Sequence, residues 1–394
     1  MTPRRSMRAL WGALAFAASV FLGLTSARAG GQPLDGRSIV AGAECAACHA
    51  VPDVAAPIRT ASCTGCHQWV KTVSANPAQR AKAMQIFPKW ARYEHNVKSY
   101  FAVPDLEVAF ARLDPAWMRA YLADPYDIRP TMDEGMVRLG LNAAQIDAVV
   151  SWASTRAYKP APSPAPSAAN VPKGEALFAE RGCVACHTFG KRHLGPGIPA
   201  APDLRWARDR MTDDMLAAWI QDPTAISPKT TMPKLGLSTA EALALRDYLV
   251  LANPDTPGAS ASGAPAGATA TAAAVAAPRW DDVEARVFGK ICIHCHMDPA
   301  QNEGRAGPGN AGGFGWPATG IELQTYEGVV AHKDQILAAI ARRNVEDPRD
   351  HLAPGEVPAK VKRPELPGMP LGQPALPEAD QALVRAWFAA GAPR

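Results

Sequence analysis

Residues 45–67 read CAACHAVPDVAAPIRTASCTGCH. The pattern C-x-x-C-H occurs twice here, first at Cys45, Cys48 and His49, then at Cys63, Cys66 and His67, with seventeen residues between Cys45 and Cys63. Two further copies lie downstream, at Cys183, Cys186 and His187 and at Cys292, Cys295 and His296. The chain has eight cysteines, and the four copies use all of them.

Eight cysteines in an exported chain suggest a disulfide framework, and paired cysteines also suit zinc or thioredoxin-like redox chemistry. None of these requires a histidine directly after the second cysteine four times over. Covalent haem attachment does. Two cysteines three apart lie on one face of a helical turn, so both sulfurs reach the vinyl groups of one haem. The histidine that follows is the proximal iron ligand. Four covalently attached haem c groups are therefore expected.

The length of 394 residues suggests two to three domains. Residues 1–29 read as a secretory signal peptide: Arg4, Arg5 and Arg8 precede an apolar run from Ala9 to Leu24, and Ala27-Arg28-Ala29 is an A-x-A cleavage site. The expected location is the periplasm, with no stable membrane insertion after cleavage. The formal charge is +4, but residues 1–29 hold four arginines and no acid, so their removal leaves 37 basic against 37 acidic residues. Nothing in this balance points to nucleic acid.

Residues 159–171 are rich in proline and alanine and read as a stiff, extended linker. Residues 253–278 are rich in Ala, Gly, Ser, Thr and Pro and read as a flexible one. They leave three modules, at about 30–158, 172–252 and 279–394. In the middle module a helix carrying Phe178 leads into the motif. Gly195-Pro196 follows, then a helical stretch around MTDDMLAAWIQDP, then Met232-Pro233, and a capping box from Ser238 to Glu241 opens the last helix. This order resembles the bacterial class I cytochrome c family over essentially the whole module. The resemblance implies an all-α fold, Met232 as the axial ligand opposite His187, and a proline carbonyl, here that of Pro196, bracing the proximal histidine.

The first module repeats the middle one. VPDL at 103–106 matches APDL at 201–204, and Asp124-Pro125 matches Asp222-Pro223, both at an offset of 98. Leu139-Gly140-Leu141 matches Leu235-Gly236-Leu237 at an offset of 96, Asn142 to Gln145 is again a capping box, and Gly36 precedes Cys45 by nine residues as Gly174 precedes Cys183. Met136 takes the place of Met232, with Met132 as its competitor. Fifty-five residues separate His49 from Pro104, against fifteen from His187 to Pro202. The first module thus carries an insert of about forty residues, at about 64–103, that brings the second motif with it. His95 is the expected distal ligand of that haem, with Met84 as its rival.

The third module resembles the same family more loosely, with 73 residues between His296 and Met369 against 45 between His187 and Met232. Gly307-Pro308 follows the motif. Met369 is the expected axial ligand, ahead of Met297, His332 and His351. The whole reads as three cytochrome c-like helical domains joined by Pro/Ala/Gly-rich linkers. The resemblance implies a periplasmic tetrahaem electron carrier whose modules swing between redox partners: a periplasmic dehydrogenase or quinol-oxidising complex on one side, a terminal oxidase or reductase on the other. The alternatives are a haem enzyme of reductase or peroxidase type, with one open iron at the second motif, and a cytochrome subunit bound to a periplasmic dehydrogenase.

Overall fold

Short polar side chains decide where the helices begin. Asp35 accepts the N–H groups of Arg37 and Ser38 and opens helix α1 (Gly36–Gly42). Ser62 caps α2 (Cys63–Ser74) and Asn76 caps α3 (Pro77–Ile86). Asp105 caps α4 (Leu106–Arg112), and Asp114 caps α5 (Pro115–Ala123), where Pro115 fits the first turn. The two expected capping boxes are present. Asn142 and Gln145 start α6 (Ala143–Ser154), and further along Ser238 and Glu241 start the last helix of the middle segment.

The middle segment contains α7 (Val171–Glu180), α8 (Ala207–Arg210), α9 (Asp213–Gln221), α10 (Pro223–Ile226) and α11 (Thr239–Leu251). The third contains α12 (Trp280–Val283), which continues into a π-helical turn (Glu284–Phe288), then α13 (Tyr326–Ala331), α14 (Lys333–Asp350) and α15 (Glu378–Ala389).

This computed structural model describes residues 34–57, 62–87, 90, 91, 94, 97, 103–132, 135–194, 198, 201–257, 278–296, 320–353 and 355–394. The expected signal peptide, His95, Gly195-Pro196, Met297, Gly307-Pro308 and residues 258–277 of the second expected linker lie outside the described residues. Helices are the regular structure of the described residues. Among them no strand forms, and isolated bridges alone tie Phe189 to Lys191 and to His193.

Four apolar cores divide along the chain. One holds Phe110, Trp117, Met118, Ile146 and Val150 of the first segment, and one holds Phe178, Phe189, Trp219, Leu245 and Tyr248 of the middle segment. The third gathers Val283, Phe288, Val329, Val384 and Trp387. The insert has its own small core of Val70, Ala83 and Trp90, with Trp69 and Phe87 packed edge-on against each other.

The glycine nine residues before each of two motifs has a steric reason. A Cβ at Gly36 would lie 2.2 Å from the Ala148 carbonyl oxygen, and one at Gly174 would lie 2.1 Å from that of Ala244. Helices α1 and α6, and in parallel α7 and α11, touch backbone to backbone at these points. The third segment has the buried Val283 at that position.

The expected stiff linker carries no helix over 159–167, turns at Ala168–Asn170 into the next helix, and is fastened down. Ser163 donates its N–H to Asp214 at 2.8 Å, Arg246 donates to the Pro164 carbonyl at 2.8 Å, and Asn170 donates to Asp247 at 2.7 Å. Residues Asp35–Arg394 form one unit, where freely swinging modules were expected. Arg363 and Arg349 of the third segment both pair with Asp124 of the first, at 2.6 and 2.7 Å. Arg138 pairs with Glu346 at 2.7 Å, and Glu346 also faces Arg343, both being 2 % exposed. Buried pairs of this kind specify one arrangement, since breaking them strands a charge.

Candidate cofactor sites

Three of the four motifs share one backbone form. Cys45–Ala47, Cys183–Ala185 and Cys292–His294 are 3₁₀ turns. In each, the histidine N–H donates to the carbonyl of the first cysteine, at 2.9, 2.9 and 3.0 Å. The chain enters the first two through a left-handed residue, Glu44 (φ 54°) and Gly182 (φ 74°). The second motif differs, since Cys63 and Cys66 sit in the first turn of α2 and Cys66 donates to the Ser62 carbonyl at 2.8 Å.

The same three histidines are braced alike. Nδ1 of His49 donates to the Pro104 carbonyl at 2.8 Å, that of His187 to Pro202 at 2.9 Å, and that of His296 to Ile321 at 3.0 Å. A carbonyl only accepts, so the proton sits on Nδ1 and Nε2 keeps its lone pair. Burial holds all three below the usual histidine range, which keeps the imidazoles neutral. A neutral, oriented imidazole with a free Nε2 is what an iron ligand requires.

The acceptor for His187 corrects the sequence expectation, which assigned it to Pro196. Pro202 holds the place because its segment is tied to the motif. Leu204 donates to the Thr188 carbonyl at 2.9 Å, and Asp203 accepts the N–H groups of Gly190 and Arg205. The first segment repeats the tie, with Leu106 donating to the Ala50 carbonyl at 2.9 Å, and in the third Leu323 donates to the His296 carbonyl at 2.8 Å. The repeated V/A-P-D-L element was visible in the sequence, and its job as a histidine brace was not.

The expected methionines lie on half-buried loops. Met136 sits between Gly135 and Val137, both of which touch Gly372 of the third segment. Met369 donates its N–H to the Ala339 carbonyl at 3.0 Å, and its neighbour Gly368 donates to Glu346 at 2.8 Å. Met232 packs on the middle core. Met132, the competitor of Met136, is half-buried, and Met84, the rival of His95, is 43 % exposed. His332 shares a hydrogen bond with Gln335 at 3.1 Å, and Nδ1 of His351 faces Asp347 at 2.9 Å. Glu94, the residue before His95, receives both ends of the Arg80 fork at 2.7 and 2.9 Å, and the Ser74 hydroxyl at 2.7 Å.

No two of the eight cysteines form a disulfide. Burial pushes the Cys45 thiol up to about 11 and that of Cys292 up to about 12, the opposite of an activated redox cysteine. Among the described residues no group of three His, Cys, Asp or Glu side chains is arranged to hold a bare metal ion. Cys48 and Cys63, from different motifs, hydrogen-bond to each other, and Cys295 lies within electrostatic reach of both. Thiols of three of the four motifs are thus near enough to act on one another, which sequence spacing gave no means of seeing for Cys295.

The donor set fits a covalent haem: paired sulfurs, an oriented imidazole and, nearby, buried arginines with no carboxylate partner among the described residues. Nε of Arg112 and Nε of Arg210 are both buried with no acceptor. Arg210 is 3 % exposed. No protein-family model, curated protein or solved structure matches the chain.

Proposed function

We propose that the chain is an exported tetrahaem electron carrier of the class I cytochrome c type. The observation that supports it most is the recurrence of C-x-x-C-H with the same histidine brace in three segments. In this reading Cys45/Cys48, Cys63/Cys66, Cys183/Cys186 and Cys292/Cys295 hold four haem c groups, with His49, His67, His187 and His296 as proximal ligands. Met136, Met232, Met369 and His95 are the distal ligands. Bound haem supplies one-electron exchange at iron that keeps its ligands.

The protein's part is to fix those ligands and to set their surroundings. Pro104, Pro202 and Ile321 orient the imidazoles. Thioether ligands favour ferrous iron and a second imidazole lowers the potential, so three sites are high and one is low. The electrostatic reach of Cys295 to Cys48 and Cys63 supports three neighbouring centres, suited to passing electrons among redox protein partners in the periplasm. The test is haem quantification with an electron paramagnetic resonance spectrum of the oxidised protein. Four low-spin ferric signals are expected. A stoichiometric high-spin signal overturns the carrier reading in favour of an open iron and catalysis.

A further inference from the structure

Arg112 and Arg210 occupy equivalent places in the two repeats, separated by the same 98 residues that relate Asp105 to Asp203. Each crosses to the other segment. The Arg112 guanidinium lies over the Trp219 ring at 4.7 Å, and that of Arg210 lies over the Trp117 ring at 5.3 Å. The backbone follows, with Asp114 donating its N–H to the Arg210 carbonyl at 2.8 Å. Asp203, beside them, donates its N–H to the Ile128 carbonyl at 2.9 Å.

Two guanidiniums at one buried seam need a counter-charge. Among the described residues neither is within ion-pair distance of a carboxylate, and each keeps a buried Nε–H without an acceptor. The neighbouring cations make matters worse: Arg210 and Arg129 act against the charge of Arg112, and Arg129 against that of Arg210, which the phenols of Tyr121 and Tyr126 offset only in part. Burial and those cations push Arg210 down to about 10 and Arg112 well below its usual range. Both guanidiniums act on His187, the proximal histidine of the middle segment. The nearby carboxylate of Asp203 is engaged with Arg205 and two backbone N–H groups.

We propose that Arg112 and Arg210 form a carboxylate-binding site for the propionates of the middle-segment haem, so that the first segment supplies one arginine of a neighbour's cofactor site. A guanidinium fork matches a carboxylate geometrically, and burial strengthens such a pair. The inference rests on the haem reading above. It adds that the middle site is complete only when the first segment is docked.

The experiment is a potentiometric titration of the full, haem-loaded protein and its Arg112→Gln and Arg210→Gln variants, with haem counted in each. Loss of a positive charge beside a propionate favours ferric iron. The same one of the four midpoint potentials is expected to shift downward in both variants, although the two arginines come from different segments. Arg112→Lys and Arg210→Lys, which keep the charge, are expected to load four haems and stay near the parent potentials. Four haems with no potential moved in the Gln variants, or a different one moved in each, overturns the site alone. A parent protein without four covalent haems overturns the haem reading and the site with it.

Discussion

The N–H of Gly135 donates to the carbonyl of Gly372 at 3.0 Å, joining the loop that carries Met136 to the loop that carries Met369. A single buried carboxylate reinforces the joint. Glu346 accepts from Arg138, two residues past Met136, and from the N–H of Gly368, one residue before Met369. The proposed distal ligands of two segments are thus held by one structure and not by two.

Glu346→Gln is expected to disturb both loops at once. It leaves Arg138 short of its counter-charge at a buried carboxylate site, while Arg343 keeps Asp350 at 2.8 Å, with a cost of about 3 kcal/mol. Denaturant unfolding measures the cost. Electron paramagnetic resonance is expected to show two of four ferric signals altered, and a change confined to one signal would mean that the loops act independently.

Gly174→Ala places a methyl group 2.1 Å from the Ala244 carbonyl oxygen and 2.6 Å from Cβ of Tyr248. Helices α7 and α11 must separate, and a loss of about 3 kcal/mol is expected from overpacking. The same experiment on Gly36 is expected to give a similar loss, because its Cβ would meet Ala148 and Trp152 in the same way. Equal stability of either variant with its parent, by thermal unfolding, would contradict the close crossing.

His95→Ala tests the proposed sixth ligand of the second motif. One haem of four is expected to become high-spin, with the other three unchanged. An unaltered spectrum would rule His95 out.

The carboxylate of Glu241 is held down at about 2, against an ordinary 4.5, by the Ser238 N–H, Arg181 and the Ser238 hydroxyl. A depressed carboxylate stabilises the fold above its unfolded value and loses that contribution as pH falls through the folded one. The stability difference between the parent and Glu241→Gln is expected to be full above pH 4.5, to shrink on acidification and to vanish near pH 2. Thermal midpoints across that range measure it, and a difference independent of pH would contradict the assignment.

Much of the local structure was legible in the residues. The capping boxes at Asn142 and Ser238 stand where the side-chain pattern places them, because a cap is a contact across three residues. Gly36 and Gly174 announced themselves by their common distance from a motif, although the close helix crossing that requires them spans the whole segment. The histidine brace was legible only as a repeated P-D-L element. Both Pro196 and Pro202 follow His187, and the bond from Leu204 to Thr188 is what selects Pro202.

By itself the sequence determined the four motifs, the helical segments, the repeat and the insert, since each rests on spacing along the chain. The tertiary structure alone decided that Asp35–Arg394 packs as one unit, that Cys295 comes within electrostatic reach of Cys48 and Cys63, and that Arg112 and Arg210 cross a seam with no carboxylate partner among the described residues. Those relations depend on burial and on charge pairs between residues far apart in the chain, such as Arg138 and Glu346. No local pattern encodes which distant charge a side chain will meet when both leave water.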